Sequence, residues 1–144
     1  MFSSPFSSAP ASRAPVNAYV RTGVETRVTD ADPHTLVSML FDGFFESIAV
    51  ARGAMRCGDM AAKGRAIGRA VSLVDEGLRG ALDLQAGGAL AHDLHDLYAY
   101  VSMRLTRANL KNDESALDEA ATLLQPLREA WKSIGVATAP ALIS

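Results

Sequence analysis

The stretch LVSMLFDGFFESIAV, Leu36 to Val50, has no ordinary place on the surface of a globular protein. Wound as a helix, Leu36, Val37, Met39, Leu40, Phe41, Phe44, Phe45, Ile48 and Val50 spread over roughly 200° or more of its circumference, far beyond the ~100° stripe of a typical surface helix. Only Ser38, Asp42, Glu46 and Arg52 mark a narrow polar side. Such a helix either sits centrally in a bundle or serves two partners, its own core on one flank and something else on the other.

Composition narrows the class. The chain has 144 residues, enough for one domain that folds without disulfide or metal staples but too few for a second large core. Apolar residues make up 49 % and aromatics only 6 %, with Ala and Leu dominant, as in all-α bundles rather than in the Val- and Ile-rich runs of sheets. A formal charge of −2 and no run of Lys or Arg leave no basic field for phosphates, so nucleic acid is excluded as a partner. The single cysteine, Cys57, has no internal disulfide partner and is expected to pack as a small apolar residue. The opening MFSSPFSSAPASRAP has no continuous apolar core, which predicts neither signal-peptide secretion nor membrane anchoring. Its Ser/Pro-rich composition makes residues 1–15 a disordered tail.

Local signals then divide the remainder. Val16, Tyr19, Val20, Val24 and Val28 recur at mostly three- and four-residue steps, a short amphipathic helix interrupted by Gly23. Asp32 as N-cap and Pro33 in the first turn open the long helix, and Gly58 closes it. From the next N-cap, Asp59, a heptad seam runs through Met60, Ile67, Val74 and Ala81 beside Gly64, Val71 and Leu78, ending at Gly87 and Gly88. Leu90, Leu94, Leu97, Tyr98, Val101, Leu105 and Ala108 give the apolar face of a third helix that stops at NLKND. Leu117, Leu124, Trp131 and Ala120, Leu127, Ile134 give two interleaved rows on a fourth, with Pro126 on its outer side and Gly135 at its end. Short connections force antiparallel neighbours. The prediction is an all-α, antiparallel up-down four-helix bundle with a short extra N-terminal helix over 16–135, and a flexible tail over 136–144.

Chemistry is sparse. His92, His95 and Asp96 in HDLHD have the spacing to share a helix face, but a di-iron bundle needs two Glu-x-x-His repeats and this chain has none. There is no Gly-x-Ser-x-Gly, no phosphate loop and no cysteine with a base near it in sequence. The sequence therefore predicts no enzyme, no catalytic residues, no cofactor and no metal.

Taken together, NAY at Asn17–Tyr19, VET at Val24–Thr26, PHTLVSMLFDG at Pro33–Gly43, ANLKND at Ala108–Asp113 and LREAW at Leu127–Trp131 resemble the FliS family of flagellin export chaperones. The similarity runs from about Ala18 to Ile134 in consistent order. It implies a cytoplasmic bundle that binds the disordered C-terminal segment of flagellin in hydrophobic grooves. Such a bundle blocks premature polymerisation and delivers its client to the gate of the flagellar type III export apparatus. The resemblance points to Tyr19 and Val20 near the groove, with Leu36, Leu40, Phe41 and Phe44 lining it on the long helix, although periodicity alone assigns these four equally well to core. Phe41 departs from the tyrosine common in the family, and the Ser-rich N-terminal extension is a further departure. Asn109 to Asp113 match a family turn that also reads simply as a helix stop followed by an N-cap.

Two other classes compete. A self-associating helical adaptor would use the apolar excess as a homodimer face, and a metal-binding bundle would use His92, His95 and Cys57.

Overall fold

The computed structural model describes residues 32–134 and 142–143. Four α-helices account for nearly all of them: α1 Pro33–Cys57, α2 Met60–Ser72, α3 Gly88–Lys111 and α4 Glu114–Ser133, with a π-helical segment Leu73–Arg79 continuing α2. The extra helix expected over Val16–Val28, and with it Tyr19 and Val20, lies outside the described residues.

The helix ends follow local chemistry. The Asp32 carboxylate accepts from the Thr35 N–H at 2.8 Å, Pro33 opens the first turn without needing a donor, and Gly58 closes α1 at φ 77°. Asp59 caps α2 by accepting from the Ala62 N–H at 3.0 Å. At the α3–α4 corner Asn112 takes the left-handed conformation at φ 52°, and Asp113 accepts from the Ser115 N–H at 3.0 Å, so NLKND is a stop and a start in one motif.

α1 and α3 stand diagonally opposite, each packed against α2 with its π segment on one side and α4 on the other. This is the antiparallel arrangement that the short corners require. The width of the apolar arc on α1 is largely explained by these neighbours, since Val37, Leu40, Phe41, Phe44, Ile48 and Ala51 are all buried. Apart from Ala51, each such side chain contributes about 1.5–3 kcal/mol. Opposite them, Ile67, Val74 and Leu78 come from α2 and its continuation, Val101 and Leu105 from α3, and Leu117 and Leu124 from α4. Pro126 sits on the exposed side of an unbroken α4, where its missing N–H and its ring do least harm.

The structure differs from the sequence reading in five places. The second helix stops at Arg79 rather than at Gly87, because its last turns widen: the Gly80 N–H reaches back five residues to the Asp75 carbonyl at 3.1 Å, and the Leu82 N–H only three, to Arg79, at 3.2 Å. The seam of α2 begins later than expected, with Met60 exposed and open space beside Gly64. Leu90, in the first turn of α3, is exposed, and Ala91 takes the buried position. Cys57 is exposed at the end of α1 instead of packed. At the other end of the chain, where the sequence suggests only a tail, Ile143 is buried in the common core and pairs with Leu82 in an antiparallel bridge.

Candidate functional site

Of the four groove candidates on the long helix, Leu40, Phe41 and Phe44 are core residues in this structure, and Leu36 is half-buried against the same core. Leu40 closes on the π segment: a β-carbon added at Gly77 would stand 3.0 Å from Leu40 Cδ2. Phe44 meets Phe45 edge-on, with ring centroids 5.0 Å apart, and the Arg128 guanidinium lies 4.9 Å from the centroid of the Phe45 ring.

The ends of the site are fixed from α4. The rings of His34 and Trp131 stack at 5.0 Å, the Trp131 indole N–H donates to the His34 carbonyl at 3.0 Å, and His34 Nε2 lies 2.7 Å from the Trp131 carbonyl. A carbonyl only accepts, so Nε2 carries the proton. Further along, Arg128 reaches Asp42 at 2.7 Å and Lys132 reaches the same carboxylate at 3.3 Å, so Lys132 pairs across to α1 rather than with Glu129. Arg52 holds Asp118 at 2.7 Å, and Arg56 holds Glu114. These exposed pairs contribute little each, yet together they fix the register between α1 and α4.

On the opposite edge Lys63 is buried. Its ammonium donates to the Asn109 carbonyl at 3.0 Å and to Asn112 Oδ1 at 3.2 Å, capping the negative end of α3. The Asn residues of ANLKND therefore hold two helices together besides ending one. Ser102 donates to Asp75 at 2.5 Å between α3 and the π segment. Glu119 accepts from Tyr100 and from Arg104, both at 2.6 Å, and these bonds hold its carboxyl below the usual glutamate range. Burial pushes the Tyr98 phenol well up, so it stays neutral.

None of this is catalytic geometry. The His92 ring donates through Nδ1 to the Gly88 carbonyl at 2.9 Å, and His95 lies 3.7 Å from Asp96. No cluster of three or more potential metal ligands occurs among the described residues, and no described helix is long and apolar enough to cross a membrane.

The structure does leave large apolar side chains outside the core. Met103 and Leu110, seven residues apart on α3, are 57 % and 77 % exposed, and Val50 stands out from α1. Met103 and Leu110 fall off the buried face of α3, and a helical wheel of the sequence carries that signal. These side chains stand on diagonally opposite helices and offer separate apolar positions on which a partner's apolar side chains can be buried.

The family model described as flagellar protein FliS matches residues 15–138. The flagellar secretion chaperone FliS of Salmonella typhimurium is 43 % identical over 119 residues, covering 83 % of this chain and 88 % of its own. FliSB of Pseudomonas aeruginosa, also a flagellar secretion chaperone, is 43 % identical over 116 residues, 81 % of this chain and 91 % of its own. The Bacillus subtilis FliS is 31 % identical over 118 residues, 82 % of this chain and 84 % of its own. A helical bundle with these capped corners, matched over more than four-fifths of its length, belongs to the FliS family of flagellar proteins.

Proposed function

We propose that this protein is a flagellar secretion chaperone that holds the disordered C-terminal segment of flagellin in the cytosol, prevents its premature polymerisation and hands it to a component of the type III export gate. The observation that carries the reading is the set of large apolar side chains left exposed outside the core, Val50, Met103 and Leu110 among them. A long unfolded client suits apolar positions spread over several helices better than one folded partner does. Leu36, half-buried in the first turn of α1, and Tyr19 and Val20, which the family resemblance assigns to client binding, contribute to the contact with the client. Leu40, Phe41 and Phe44 act from below, by keeping α1 in place.

Burying about six Leu-sized side chains gains roughly 9–18 kcal/mol gross. Ordering the segment and restricting its motion remove much of this, leaving micromolar to nanomolar binding, tight enough to sequester and weak enough to release.

The experiment is calorimetric titration of the full chain with a peptide covering the C-terminal segment of flagellin from the same organism. The expected result is saturable binding with a negative heat-capacity change, weakened by Met103→Asp at unchanged melting temperature. Absence of binding to this peptide and to whole flagellin overturns the assignment, and a mass that rises with concentration would then point to self-association.

A further inference from the structure

The last helix ends at Ser133, yet Leu142 and Ile143 return to the bundle. Ile143 is only 8 % exposed, and it pairs with Leu82 as an antiparallel bridge while the Asp83 N–H donates to the Leu142 carbonyl at 2.8 Å. The receiving loop joins the π segment to α3, and it is shaped by its own contacts. The Asp83 carboxylate accepts from the Gln85 and Ala86 N–H groups at 3.2 and 3.0 Å, which leaves the Asp83 backbone N–H as an edge donor. Behind this edge lie the buried Leu78 and Ala81.

The family match ends at residue 138, so the loop lies inside the shared region and its occupant lies outside it. Recognition needs only an extended backbone, a carbonyl to accept from Asp83, and one aliphatic side chain at the next position. This is strand addition, whose chemistry is indifferent to which chain supplies the strand.

We propose that Leu82–Asp83 forms a docking site for an extended apolar peptide strand, and that residues 142–143 of the same chain occupy it as a removable cover. The site is independent of flagellin binding. Occupation in cis gives the cover a high effective concentration, so a free peptide of the same sequence competes poorly until the cover is released. A carboxylate cannot remain where Ile143 sits, and Ile143→Asp in the full chain therefore releases it.

The test titrates a fluorescently labelled peptide of residues 136–144, VATAPALIS, into the unaltered chain and into Ile143→Asp, read by anisotropy. Saturable binding to Ile143→Asp, at least about tenfold tighter than to the unaltered chain, is expected. A peptide that itself carries Asp in place of Ile should not bind. Hydrogen exchange at the Asp83 amide supplies a second reading: slow in the unaltered chain, at least about tenfold faster in Ile143→Asp, and slow again when the peptide is added. Fast exchange at Asp83 in the unaltered chain, equal peptide binding to both chains, or no binding to a folded Ile143→Asp would each overturn the proposal. Should Ile143→Asp not fold, Ile143→Ser removes the anchor without a charge and is held to the same outcomes.

Discussion

Replacing Gly77 by Ala separates the two roles open to Leu40, core or groove. Alanine in place of glycine on a helical backbone ordinarily stabilises by about 0.5–1 kcal/mol. Here the new methyl would meet Leu40 Cδ2 at 3.0 Å, Cδ1 at 3.1 Å and Cγ at 3.5 Å, and Leu40 is itself 4 % exposed with little room to retreat. Overpacking of that kind costs about 1–3 kcal/mol, so the expected net effect of Gly77→Ala is a destabilisation of about 1 kcal/mol. Leu40→Ala alone should cost about 2–5 kcal/mol through lost burial and the cavity it leaves. In the Leu40→Ala background the clashing atoms are gone, and Gly77→Ala should turn stabilising by about 0.5–1 kcal/mol. Gly68→Ala, where nothing lies within 4 Å of the added atom, serves as the control and should stabilise by about 0.5–1 kcal/mol in either background. Urea denaturation followed by circular dichroism measures all of these, a change of 1 kcal/mol moving the midpoint by roughly 0.5 M. If Gly77→Ala has the same sign with and without Leu40, or if Leu40→Ala costs almost nothing, then Leu40 is not seated in the core of the free protein and the reasoning fails.

Lys63→Met keeps the aliphatic stem but leaves the Asn109 carbonyl and Asn112 Oδ1 without their donor, and should destabilise by about 1–3 kcal/mol, measured by the same denaturation. Acid should weaken the bundle through Asp32, Asp113, Glu114 and Glu119, whose carboxyls all lie below their ordinary values in the folded state. The unfolded chain then binds more protons than the folded one, so the contribution is complete above the unfolded carboxylate range and is lost as pH falls through the folded values. Melting temperature should hold between about pH 7 and 5 and drop below about pH 4. A rise on acidification would contradict the assigned bonds.

The corners of this fold are written locally, which is why they are legible in the sequence. An Asp that caps the N–H two or three residues on, a proline in the first turn and a glycine or asparagine in left-handed conformation need no distant partner. Asp32, Gly58, Asp59, Asn112 and Asp113 therefore stand where capping chemistry alone puts them. The periods of the buried rows on α3 and α4 are legible for a similar reason, because a helix repeats its own geometry.

Which neighbour covers an apolar side chain is another matter. Periodicity gave α1 a wide apolar arc but no means of dividing it into core and surface, and only the packing of α2, the π segment and α4 put Leu40, Phe41 and Phe44 inside and Val50 outside. The widened turns after Ser72 left no mark in the heptad pattern, and the exposure of Cys57 and Leu90 depends on where neighbouring helices stop. Ile143 is the plainest case: nothing within five residues of it predicts burial, because its partners Leu82 and Asp83 are brought to it only after the bundle has formed. Sequence fixes what is decided within a turn of helix, and contacts between residues far apart in the chain decide which of its apolar faces remain available to a partner.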